Sequence, residues 1–239
     1  MIYITGDTHG LTDVQKLKDD SYIKAGDYLI IAGDVAVCWS EKFDKETVRY
    51  WEKKPYTVLF VDGNHENFTK LLSYPIEEWN GGKVHFIAPN LIHLMRGQVF
   101  TIEGKTFFTF GGGISIDKAY RRPFISWWPD EEPTAAECEE GLANLDKVNW
   151  KVDYVVTHAA PEWIVRGPIS QIHPMLQEDC ECEKYLDTIY DKLDFKMWFC
   201  GHYHLDAMLT RYKILELYQD VVRIDKGYPI VNAGWSEQK

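Results

Sequence analysis

Five short blocks of Asp, Asn and His, each placed directly after an apolar run, constrain this chain more than any other feature. They are Gly6-Asp7-Thr8-His9-Gly10, Gly33-Asp34, Gly63-Asn64-His65-Glu66, Thr157-His158 and Gly201-His202-Tyr203-His204. Four follow β-branched stretches, Met1 to Ile4, Tyr28 to Ala32, Val58 to Val61 and Tyr154 to Val156, and the fifth follows Met197-Trp198-Phe199. Short apolar runs of this kind predict buried strands. Residues just beyond the carboxyl ends of such strands converge on one crevice in α/β sheets. Carboxylate, amide and imidazole are donors for manganese, iron, zinc or nickel. One block alone is a common turn, but five together predict a metal site assembled from distant segments.

The rest of the chain fits around those strands. Leu11, Val14 and Leu17 keep a helical spacing after the first block, and Lys45 to Lys53 reads as a helix stopped by Pro55. A short helical stretch is expected over Asn67 to Leu72. The first half therefore has the βαβαβ rhythm of a mostly parallel sheet. From Lys83 the period shortens: Val84 to Ala88, Leu91 to Met95, Gln98 to Ile102 and Lys105 to Phe110 read as an antiparallel meander, with Glu103-Gly104 as a two-residue hairpin turn. Thr134-Ala-Ala-Glu137 has the form of a capping box opening a helix to about Leu145. A polar helix from about Asp179 to Lys192 precedes the last block, and Ala207 to Ala233 reads as two or three more strands. No repeat or linker interrupts the chain, so residues 1–239 are expected to form one domain with inserts near 111–133 and 161–176.

Composition excludes several classes. No stretch approaches the ~20 apolar residues of a membrane span, and no leader pattern opens the chain. Cys38, Cys138, Cys180, Cys182 and Cys200 make an odd, scattered set, which fits a reducing compartment and a cytoplasmic protein. The net charge of −11 argues against long nucleic acid as a partner, because that usually requires a basic face. It does not argue against a small phosphorylated substrate, since bound cations would reverse the sign of the crevice.

The ordered set D-x-H, G-D, G-N-H-[DE], lone His and G-H-x-H resembles the calcineurin-like metallophosphoesterase superfamily, and the match runs from residue 5 to residue 204. The resemblance implies an α/β fold, a two-sheet β-sandwich of mixed strands flanked by helices. It implies two divalent ions, manganese or an iron–manganese pair, with zinc or nickel as alternatives. Asp34 would bridge them; Asp7, His9 and His204 would complete one site, and Asn64, His158 and His202 the other. A metal-bridging hydroxide would attack phosphorus, and His65 would assist the leaving group as general acid or as cation, help worth roughly 10²- to 10⁴-fold. Glu66 would orient its neighbours.

The second block departs from the protein phosphatase pattern G-D-x-V-D-R-G, because Val37 and Cys38 stand where that branch orients its His and grips phosphate. The chain thus resembles the G-H-x-H branch as a small stand-alone phosphatase or phosphodiesterase. A protein phosphatase-like or dinucleoside polyphosphate hydrolase activity is the alternative within the family. A non-catalytic scaffold is the alternative of another class, and intact ligand positions argue against it. A DNA exonuclease is disfavoured by the acidic balance. In the insert, Arg121, Arg122, Trp127 and Trp128 combine phosphate forks with flat aromatic faces and are candidates to bind substrate, favouring a nucleotide-like one; the alternatives are a solvated arginine pair and a loop pinned to the core by at least one of the two tryptophans. His173 is a further candidate for the crevice, whereas His85 and His93 are expected to pack within the sheet.

Overall fold

The computed structural model describes residues 1–37, 39, 41–172, 178–226 and 229–231. Cys38 and His173 lie outside the described residues. The strands pair into two sheets. The eight-stranded sheet runs, edge to edge, Pro229–Val231, Val221–Arg223, Ile2–Thr5, Tyr28–Ile31, Thr57–Phe60, Leu91–Leu94, Gly82–Ala88 and Glu77–Trp79. The six-stranded sheet runs Ala207–Leu209, Ile214–Glu216, Met197–Cys200, Tyr154–Thr157, Lys105–Phe110 and Gln98–Ile102. Central strands are parallel and edges antiparallel. The central runs are apolar throughout because both of their faces are covered.

Alternation along each strand sorts side chains into three layers of core. Ile30 faces the other sheet, where it joins Ile4, Leu59, Phe107, Val156 and Phe199. Its neighbours Leu29 and Ile31 face outward, packing with Leu17 and Trp51. In the second sheet Tyr154 and Val156 point inward while Val155 points outward, towards Leu145, Leu186 and Ile189 of the flanking helices. Helices Ala135–Lys147 and Glu181–Tyr190 cover that face, and Glu41–Glu52 flanks the other sheet. The result is the expected two-sheet sandwich. The capping box forms as expected, with Thr134 Oγ1 accepting from Glu137 N.

Two expectations are corrected. The four runs after Lys83 are not one meander. The first two belong to the eight-stranded sheet, where Leu91–Leu94 lies parallel to Thr57–Phe60, and the last two form a hairpin in the other sheet. The chain changes sheets at Met95–Gly97, where Gly97 N donates to Thr109 O at 2.8 Å. Gly97 has φ +71, and a Cβ there would lie 2.7 Å from Gly141 Cα in the helix above, so the crossing needs glycine. The helical spacing after Gly10 yields only a 3₁₀ turn, Val14–Leu17.

Candidate metal centre

The five blocks lie just past the carboxyl ends of strands in both sheets, and backbone hydrogen bonds lock them together. Thr8 N and His9 N donate to Asp34 O, Gly10 N to Val35 O, and Gly201 N to His158 O. The glycines preceding the donors are steric necessities. A Cβ on Gly33 would lie 2.1 Å from His158 Nδ1, and one on Gly63 would lie 2.1 Å from Asp34 Oδ1. Four of the donors themselves have positive φ: His9, Asp34, His202 and His204. Such backbone is uncommon for residues with a Cβ and concentrates at functional sites.

Asp34 is the pivot. Its Oδ2 lies 3.2 Å from His9 Nε2, and its Oδ1 lies 3.4 Å from His158 Nε2. Beside His9 stand Asp7 and His204, the ligand atoms of the three lying within 4.8 Å of one another, with His204 Nε2 3.1 Å from Asp7 Oδ2; Asp7 also groups with Asp34 and His158. His158 Nε2 itself lies 3.1 Å from Asn64 Oδ1 and 3.2 Å from His202 Nδ1. One ring nitrogen cannot donate to three acceptors at once. Donors at bonds of ~2.0–2.2 Å to one ion sit roughly 3–3.5 Å apart, which is the spacing seen.

The surroundings aim these atoms. His158 Nδ1 lies 2.8 Å from Ala32 O, so its proton sits there and Nε2 presents a lone pair to the cluster. His9 Nδ1 lies 2.7 Å from Asp13 Oδ2, the carboxylate–histidine pairing that supports many metal ligands. Asn64 Nδ2 donates to Ser115 Oγ, itself bonded to Glu131, which turns Asn64 Oδ1 inward. Buried Lys16 donates to the backbone carbonyls of Gly6, Asp7 and Tyr218, holding the first block. Glu66 Oε1 accepts from Val35 N and Ala36 N and fixes the turn after Asp34.

The electrostatics fit cations. Asp7 Oδ2 is buried and makes no well-aligned hydrogen bond, an expensive state for a carboxylate unless a cation compensates it. Burial opposes charge on Asp34, but His158, His65 and His9 outweigh it while they carry protons in place of a metal, and hold the carboxyl well below its usual range. Burial likewise opposes a charged His9, yet Asp34, Asp7 and Asp13 raise it to about 9, a proton standing where a metal would balance the same carboxylates. Burial and His158 push His202 down to about 3, leaving it neutral, as a ligand must be. Asp7, His9 and His204, and likewise Asp7, Asp34 and His158, have ligand atoms within 4.8 Å of one another. The donor set fits one or more divalent ions.

Asp34, Asn64, His202 and His204 of the cluster line the floor of a crevice of about 400 Å³. Ile114 to Asp117, Arg121, Val165, Arg166 and Glu183 line it as well. His65 joins the floor, with its backbone N–H on Asp34 Oδ1 at 2.7 Å. The insert residues divide. Arg121 enters the crevice, but Arg122 and Trp127 do not line it. Trp128 takes the core-pinning alternative and not the substrate-facing one. It is 1 % exposed, meets Trp39 edge to face, and donates from Nε1 to Thr69 Oγ1, so it pins the insert to the core. His85 and His93 are buried and stacked as sheet packing requires, but they also carry a polar chain to Asp62.

Sequence reading missed Asp13, Lys16, Glu131 and Glu183. Asp13 stood four residues after His9, one helical turn away, and could have been suspected. Glu183 accepts from Tyr203 OH, between the two histidines of the last block, and no local pattern announces that pairing.

The sequence model of the calcineurin-like phosphoesterases matches residues 1–206. No curated protein matches the chain. Among solved structures, phosphopantetheinyl hydrolase from Mycobacterium tuberculosis is similar at 15 % identity and a TM-score of 0.43, over 91 % of this chain and 89 % of that one.

Proposed function

Because the chain belongs to the calcineurin-like phosphoesterases, a family of metal-dependent phosphoester hydrolases, we propose that it hydrolyses a small phosphate ester at a centre of two divalent ions. Asp7, His9 and His204 would hold one ion, Asn64, His158 and His202 the other, and Asp34 both. The observation that carries this reading is that the two oxygens of Asp34 lie against different histidines, Oδ2 against His9 and Oδ1 against His158. Bound ions supply Lewis-acid stabilisation of the phosphoryl group and water ionised near neutral pH. Oxygen and nitrogen donors without thiolate suit manganese, iron, zinc or nickel, and manganese or an iron–manganese pair is the proposed loading.

The protein's own groups position and shield this chemistry. Asp13 and Ala32 O orient His9 and His158, and Ser115 with Glu131 orients Asn64. His65 lies beside Asp34 on the crevice floor, where it can meet the leaving oxygen of an ester. The crevice volume suits a small phosphorylated molecule. The burial of Trp128 removes its aromatic face from any argument for a nucleotide. Among the described residues no helix is long and apolar enough to cross a membrane.

The test is a screen of mono- and diesters, nucleotides and phosphopeptides after chelation and readdition of Mn²⁺. Turnover of at least one ester class that vanishes on chelation and returns with the ion is expected. Metal-independent turnover, or none with any ester or ion, would refute the reading.

A further inference from the structure

We propose that Arg121 is a positioning residue for His65, whose guanidinium donates to Nδ1 and so holds the imidazole in the tautomer that presents an N–H from Nε2 to the crevice. The inference rests on the proposed place of His65 beside the leaving group. Arg121 Nη1 lies 3.2 Å from His65 Nδ1. A guanidinium has five N–H donors and no acceptor, so Nδ1 can only accept. The single proton of a neutral imidazole is then on Nε2, the ring nitrogen left for the crevice.

The arginine is fixed from its far side. Its Nε lies 2.7 Å from Asp117 Oδ1, and Nη1 also donates to Ser126 O at 3.3 Å. The loop that carries it is anchored by buried Trp128 on Thr69. Asp117 offsets the guanidinium charge, which makes Arg121 a weaker grip for phosphate and leaves its donor geometry intact.

The chemical consequence differs from that of a carboxylate in the same place. A carboxylate would accept from Nδ1–H and favour the imidazolium. Among the described residues the only hydrogen-bond partner of His65 Nδ1 is Arg121. His65 therefore meets the substrate as a neutral donor. Its Nε2–H stabilises charge growing on the leaving oxygen and keeps its proton, and the released alkoxide takes a proton from solvent water.

Arg121→Met keeps the unbranched apolar stem and removes every donor. With an alkyl phosphate, kcat is expected to fall about tenfold, the effect of losing one hydrogen bond, while KM stays within about twofold. The loss should be smaller for nitrophenyl phosphate, whose leaving group needs less help. Placed on His65→Ala, Arg121→Met should cost nothing further, because it acts through that ring. Nitrogen-15 spectra of the zinc-loaded protein should put the His65 proton on Nε2, and Arg121→Met should release the ring to exchange between tautomers. A KM rise common to all esters, additive losses in the double variant, or a proton on Nδ1 would each overturn the proposal. If His65→Ala itself leaves kcat unchanged, the reading of His65 fails, and the spectra alone decide whether Arg121 sets its tautomer.

Discussion

At the scale of single residues, the pair Asp62–Arg96 shows how this protein tolerates buried charge next to its site. Arg96 Nη2 and Nε lie 2.6 and 2.9 Å from Asp62 Oδ2, and His93 Nε2 lies 3.1 Å from Oδ1. Arg96 also donates to the carbonyls of Asp130, Glu131 and Glu132, tying down the turn that places Glu131 against Ser115. Burial alone would raise the Asp62 carboxyl, but Arg96 and His93 override it and hold the group below its usual range. Its folded pKa is thus below the unfolded value near ~3.9. The contribution is full above that value and is lost as pH falls through the folded pKa. Arg96→Met strands the carboxylate, so urea unfolding at neutral pH should show a loss of about 3–5 kcal/mol. The deficit should shrink on acidification, as protonation relieves the stranded charge. A loss under about 1 kcal/mol would mean that the pair does no more than set geometry. None of this was legible in the sequence, because Asp62 and Arg96 are 34 positions apart in blocks that predict different strands.

At the scale of elements, most strands and the Thr134 cap were legible, but Glu77–Trp79 was not, the run from Ala207 holds four strands where two or three were expected, and the assignment of strands to sheets was not legible. Leu91–Leu94 and Gln98–Ile102 have the same β-forming composition, and the break between them can be a hairpin or a crossing. Packing decides it: the backbone of Gly97 lies against Gly141 in a helix some forty residues later. Glycine substitutions separate the two kinds of turn. Gly104 has φ +68 in the hairpin and open space around it, so Gly104→Ala should cost only the conformational term, about 1 kcal/mol. Gly97→Ala adds a collision with backbone that cannot move aside, and thermal melts should show it to be clearly the more destabilising. Equal shifts would contradict the crossing described. The Thr134 cap was legible because its four-residue signature is local, and Thr134→Ala should cost roughly 1 kcal/mol.

At the scale of the whole molecule, the site is a set of loops that two sheets bring to one end of the sandwich. The order of the blocks was sufficient to predict that convergence, because strand ends position whatever follows them. The insert was less legible: composition marked Arg121 and Trp128 alike, but whether each side chain faces the crevice or the core depends on the loop's path. Arg121 faces the site and Trp128 the interior. Loops from both sheets also meet around two buried carboxylates, Asp7 and Asp34. Cations there should therefore stabilise the fold by mass action, about 2.7 kcal/mol at a hundred times Kd. The chelated protein should melt lower and recover with Mn²⁺, and an unchanged melt would mean that the cluster does not bind the ion. The central claim is that Asp34 joins two ions into one catalytic centre, and the most direct measurement is the number of ions bound per chain, taken together with ester turnover. Wild type should bind two and be active, whereas Asp34→Asn should bind fewer and lose more turnover than a change at Asn64 or His204. Two ions and near-wild-type turnover in Asp34→Asn would contradict the account.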